Sequence, residues 1–171
     1  KEKRLLQVAS DAEGITHLTW RSTLQATQAL VLDRTPYTTW GGYSGLSIRA
    51  SREMHEAKFI VPGGKTVEAL TGQTHDWAIL EGRMDGGPGE FVSIGILDHP
   101  ENPRSPSPWY CKTNNAGFTF MNAAFLFHEP LKVEKGEELH FHYKIVYRDG
   151  TWKPDEFQAI ADKFRKPSPI L

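Results

Sequence analysis

An all-β fold, an antiparallel β-sandwich carrying one C-terminal α-helix, is predicted by three features of the sequence. Short segments rich in β-branched and aromatic residues recur along the chain, clusters of Gly, Pro, Asn and Asp interrupt them, and a helical apolar period occurs once, near the end. Sheet packed on sheet is the architecture that buries many short, half-apolar strands.

The chain begins at Lys1 with neither Met nor a charged-then-apolar leader pattern, so residues 1–14 are expected to be an N-terminal extension or the remnant of a missing N-terminal part. The sandwich is expected over 15–165 and a flexible tail over 166–171. Residues 15–24 mix Thr and aromatic side chains, and 29–32 are a short apolar run; both read as strands of a half-buried sheet. After the breaker Gly41-Gly42-Tyr43-Ser44-Gly45, residues 46–50 alternate apolar and polar, and 55–61 run to a Pro62-Gly63-Gly64-Lys65 turn. Residues 77–82 and 91–97 flank the loop Asp85-Gly86-Gly87-Pro88-Gly89, the pattern of a hairpin. Pro100, Pro103, Pro106 and Pro108 exclude helix and central strand from 98–109, because each lacks an amide donor and fixes φ.

Residues 118–127 are apolar without strict alternation, and Leu131-Lys132-Val133 enters a Glu134-Lys135-Gly136-Glu137 turn. The clearest strand covers 139–148. Its period of 2 sends Leu139, Phe141, Tyr143, Ile145 and Tyr147 to the core and His140, His142, Lys144 and Arg148 to water or a groove. Phe157, Ile160, Ala161 and Phe164 then recur at i, i+3, i+4, i+7, an amphipathic helix stopped by Pro167.

Composition narrows the function classes. A chain of 171 residues is one domain by length, and 20 basic against 21 acidic residues give a net charge of −1, which supports neither nucleic acid nor an anionic membrane as partner. No run approaches the roughly 18 apolar residues of a membrane helix. Cys111 is the sole cysteine, so an intramolecular disulfide and Cys-based zinc sites are excluded.

The most unusual segment is 98–110. A buried strand leads into a loop stiffened by four prolines that carries Asp98, His99, Asn102, Arg104, Trp109 and Tyr110: polar forks for hydroxyl groups and an aromatic face for stacking, as a sugar or polyol site requires. The architectural alternative makes Asp98 and Asn102 turn formers and Trp109 a core plug. Upstream, His75 lies beside Asp76 and near Glu81, a pairing suited to acid/base work, or alternatively a strand-entry turn. His140-x-His142 has a spacing that can hold a metal, but no third ligand is identifiable, and no metal or cofactor is expected. Cys111 reads as a core filler, and Gly41-Gly42 and Gly86-Gly87 lack the strand-to-helix setting of a phosphate loop.

The segment 98–109, preceded by His75-Asp76-Trp77 and followed by Gly136-Glu137-Glu138-Leu139, Tyr143-Lys144 and Asp149-Gly150, resembles the C-terminal half of the PmoA-like family, a domain of unknown function labelled methane oxygenase in bacterial genomes. Gly42-Tyr43-Ser44-Gly45-Leu46-Ser47-Ile48-Arg49 resembles that family's Gly-Leu…Arg strand, and the likeness spans roughly 35–163. The family is similar to galactose-mutarotase-like β-supersandwiches. The resemblance therefore implies half of such a supersandwich, a carbohydrate ligand, a periplasmic or secreted setting, and a partner in the form of the missing N-terminal half or a second copy of the chain. The oxygenase label has no support from a membrane span or a copper-ligand set.

Two functions compete. One is a carbohydrate-active protein working by proton transfer on a sugar or sugar derivative, with His75 and His99 as acid and base, Arg49, Asp98, Asn102, Arg104 and Tyr110 binding oxygens, and Trp109 stacking on the ring. The other is a noncatalytic carbohydrate-binding or assembly module using the same aromatic and polar groups.

Overall fold

A computed structural model describes residues 1–34, 44–84, 90–114 and 117–166. The breaker at 41–43, the loop core 85–89 and the tail from Pro167 onward lie outside the described residues. Thirteen strands and one α-helix follow in order: β1 (Glu2–Ser10), β2 (Thr16–Gln25), β3 (Leu30–Leu32), β4 (Ser47–Arg49), β5 (Met54–Val61), β6 (Lys65–Val67), β7 (Ala69–Thr74), β8 (Trp77–Met84), β9 (Phe91–Asp98), β10 (Pro108–Asn114), β11 (Phe118–Ala123), β12 (Leu131–Val133), β13 (Glu138–Asp149) and α1 (Pro154–Phe164). They form an all-β sandwich. A seven-stranded antiparallel sheet, ordered β1-β2-β13-β9-β8-β5-β6, faces a four-stranded sheet, β4-β11-β10-β7, and β12 pairs with β3. Among the described residues no helix is long and apolar enough to cross a membrane.

Within 1–14, read from the sequence as an extension or the remnant of a missing part, residues 2–10 form a strand of the sheet. β1 pairs with β2 from Glu2 opposite Leu24 to Ser10 opposite Thr16, so it is the edge strand of the large sheet. Every one of its residues is exposed, and the pairing with β2 joins it to the sheet. The predicted hairpin is present, with β8 and β9 paired from Trp77 opposite Leu97 to Arg83 opposite Phe91.

The core lies in two layers. Between the sheets, Leu139, Phe141 and Tyr143 of β13 pack with Leu80, Ile96, Trp109, Cys111 and Met121, and Ile145 packs against this cluster. On the other side of the large sheet, Trp77, Ile79, Leu97 and Val146 are covered by Trp152 and by Phe157, Ala161 and Phe164 of α1. Phe157 sets the docking of the helix: its ring meets Trp77 at 4.9 Å and Trp152 at 5.3 Å, and a Cβ at Gly95 would collide with it. Burying such a ring contributes about 2–3 kcal/mol.

The alternation read for β13 holds at its start and fails at its end. Tyr147 is 36% exposed whereas its neighbour Val146 is fully buried. Val146 belongs to the layer that α1 covers, whereas Tyr147 is in neither core cluster. Leu6 and Val8 are likewise 53% and 66% exposed on β1.

Candidate functional site

The proline-rich segment is inside the protein. Asp98, His99, Asn102 and Trp109 are buried. Asp98 accepts hydrogen bonds from Asn102 Nδ2 at 2.6 Å and from the Ser107 amide at 2.7 Å. Burial holds its carboxyl above the usual carboxylate range, and those donors oppose the shift. Asn102 works as a backbone surrogate against β13: its Nδ2 donates to the His142 carbonyl at 2.9 Å and its Oδ1 accepts from the His142 amide at 2.6 Å. Arg104, held in the left-handed region at φ 61, donates to the carbonyls of Phe125, Glu129 and Pro130. Trp109 fills the core and donates its indole N–H to the His75 carbonyl at 2.8 Å. These polar groups complete the fold's own hydrogen bonding, as the architectural alternative requires.

The two histidines expected as acid and base sit in different surroundings. His99 stacks on His142 with ring centroids 4.6 Å apart and meets Phe164 of α1 edge-on at 5.2 Å. The Glu101 amide donates to His99 Nδ1 at 3.3 Å, which favours the neutral Nε2–H form, and burial lowers the ring's affinity for a proton. Burial, with Arg21, His99 and Lys144 nearby, pushes His142 down to about 4. His75 is half-buried, and burial lowers its pKa although Asp76 acts in the opposite sense. Neither presumed carboxylate partner orients it, because Asp76 binds Arg165 at 2.5 Å and Glu81 pairs with Lys58 at 2.8 Å. His140 turns to Thr23, at 3.1 Å, and does not converge with His142. Among the described residues no three His, Cys, Asp or Glu side chains come together as metal ligands. Cys111 is buried, and burial pushes its thiol up.

Two of the expected ligand-binding residues, Arg49 and Tyr110, do share a surface. Arg49 of β4 lies opposite Phe120 of β11, which lies opposite Lys112 of β10, so the three project from one face of the small sheet. The opposite face carries Leu70, Cys111 and Met121 into the core. On the outward face the Arg49 guanidinium sits 5.1 Å from the Phe118 ring, Phe118 stacks on Phe120 at 6.2 Å, and Tyr110 meets Phe120 at 6.1 Å.

Tyr110 and Lys112 also line an open cleft of about 810 Å³ together with His55, Glu56, Glu68 and Asn114. Its wall on β5 is shaped by an irregularity between His55 and Lys58 in the pairing with β8. Glu56 there adopts φ 50, a left-handed conformation unusual for a residue other than glycine, and its carboxylate reaches Arg83 at 3.4 Å. Sequence reasoning missed Lys112 and Asn114, which the period of 2 from Tyr110 would have placed on its face. It also missed Glu56, whose bulge has no local signature.

A family model described as a family of unknown function, DUF6807, matches residues 1–162. The chain belongs to that family. The match includes residues 1–14, the segment that forms β1 in this DUF6807 chain, and both walls of the cleft. No curated protein matches the sequence.

Proposed function

We propose that this DUF6807 chain is a noncatalytic carbohydrate-binding module whose ligand lies in the 810 Å³ cleft. The observation that carries this reading is the lining: one half-buried aromatic ring, Tyr110, among exposed groups that donate or accept hydrogen bonds, namely Thr71, Lys112, Asn114, Glu56 and Glu68. A sugar matches such a surface with C–H groups on the ring face and hydroxyls on the forks around it. The strained backbone of Glu56 supports the same reading, since left-handed non-glycine residues cluster at functional sites. Two carboxylates against one ammonium favour a neutral sugar over an acidic one. Binding without proton transfer fits the positions of His75 and His99, which line neither this cleft nor the second pocket described below. The resemblance to PmoA-like and mutarotase-like chains adds a carbohydrate setting.

The test is calorimetric titration with neutral oligosaccharides of differing linkage. The expected result is saturable binding to at least one, weakened tenfold or more by Tyr110→Ala with the melting temperature within about 4 °C of the parent, and unaffected by His99→Ala. Turnover of a sugar that His99→Ala abolishes would replace this reading with the acid/base one.

A further inference from the structure

A second cavity, of about 410 Å³, has a different chemistry. It opens between β1, β2 and β13 of the large sheet and the segments around Ser44 and Phe125, and its walls are mostly apolar, with Leu24, Leu46, Phe125 and Phe141 beside the Trp20 ring. Its charged groups are Glu2, Arg4 and Asp33, two carboxylates against one guanidinium.

The bonding within this group is unevenly distributed. Glu2 Oε1 accepts from Arg4 Nε at 2.9 Å, from Arg4 Nη2 at 2.6 Å and from Ser22 Oγ at 2.8 Å, while Oε2 has no hydrogen-bond partner among the described residues. Asp33 Oδ1 accepts from the Arg34 amide at 2.7 Å, and its Oδ2 is likewise unpartnered among them. The Arg4 guanidinium lies 4.9 Å from the centroid of the Trp20 ring. A cation therefore already rests on the aromatic wall, tethered to a carboxylate, and it comes from the chain itself.

We propose that this pocket binds a small organic cation, an ammonium carried on an aromatic or aliphatic body. The charged head is matched to the free carboxylate oxygens of Glu2 and Asp33 and to the Trp20 face, where Arg4 acts as an internal stand-in. The body is matched to the apolar walls. Attraction between a cation and an indole face is strongest where water is displaced, and the apolar surround supplies that condition. The inference is independent of the carbohydrate reading, because the two cavities share no residue.

Three probes of similar shape and different charge test it in the 171-residue chain: phenethylammonium, 2-phenylethanol and phenylacetate. Binding is read by calorimetry and by the Trp20 indole N–H resonance, assigned through its loss in Trp20→Phe. Phenethylammonium is expected to bind at least tenfold more tightly than phenylacetate, with the alcohol between them. Glu2→Gln and Asp33→Asn, both on exposed positions, should each weaken the ammonium several-fold without moving the alcohol. Arg4→Gln should tighten the ammonium by removing the internal competitor. Equal binding of the three probes, no saturable shift of Trp20, or weaker ammonium binding by Arg4→Gln would overturn the proposal.

Discussion

Trp109 and Tyr110 are adjacent in the chain, yet they belong to regions with opposite uses of polarity. Up to Trp109, the proline-rich loop directs its polar side chains inward: Asp98, Asn102 and Arg104 bind amides and carbonyls of β13, of the loop itself and of 125–130. From Tyr110 onward, β10 lays Lys112 and Asn114 along an open cleft. Both stretches are dense in polar and aromatic residues. What separates the two stretches is burial: Asp98, Asn102 and Trp109 are sealed inside the protein, where a buried amide satisfied on every side has no capacity left for a ligand, whereas Lys112 and Asn114 are exposed.

The largest expected effect lies on the scaffold side. Asn102→Ala leaves the buried Asp98 carboxylate and the His142 amide and carbonyl short of partners, so a loss of about 2–4 kcal/mol is expected in denaturant unfolding. Full stability combined with lost sugar binding would break the comparison by moving the loop into the site. Arg104→Ala should cost less, about 1–3 kcal/mol, since three carbonyls lose their donor but the guanidinium is only partly buried. Arg104→Gly sharpens this result: it relieves the left-handed backbone at φ 61 and should be less damaging than Ala.

A smaller effect depends on pH. His142 is held neutral down to about 4, against an ordinary value of 6.5, so the unfolded chain takes up a proton that the folded chain refuses. The resulting stability is complete above about pH 6.5 and is lost as pH falls from there through 4; His99, shifted the same way, adds to it. His142→Gln should flatten the decline of melting temperature between pH 7 and 4. An unchanged slope would show that the stacked pair does not control acid stability. The smallest effect on stability is expected at Tyr110→Ala, within about 1 kcal/mol because the ring is only half-buried.

Much of the fold was legible locally. The hairpin of β8 and β9, the apolar stripe of α1 and the inward set Leu139, Phe141 and Tyr143 follow from periods of 2 and 3.6, which depend on neighbours in the chain alone. The candidate site was legible only in part. Of the residues the sequence offers as ligand-binding, Tyr110 lines the cleft and Arg49 shares its face of the small sheet, but Arg49, His75, His99, Asp98, Asn102, Arg104 and Trp109 line neither cavity.

The sequence by itself determined the all-β class, the places where the chain turns, and the single helix, because glycine, proline and apolar periodicity act through bonds and sterics within a few residues. Only the tertiary structure decided which polar side chains meet a backbone partner and which face open space. Asn102 finds β13 forty residues away. Tyr147 is left outside both core layers, and Val146 is sealed by the layer beneath α1. Each outcome depends on contacts between distant segments, to which no local pattern of residues is sensitive.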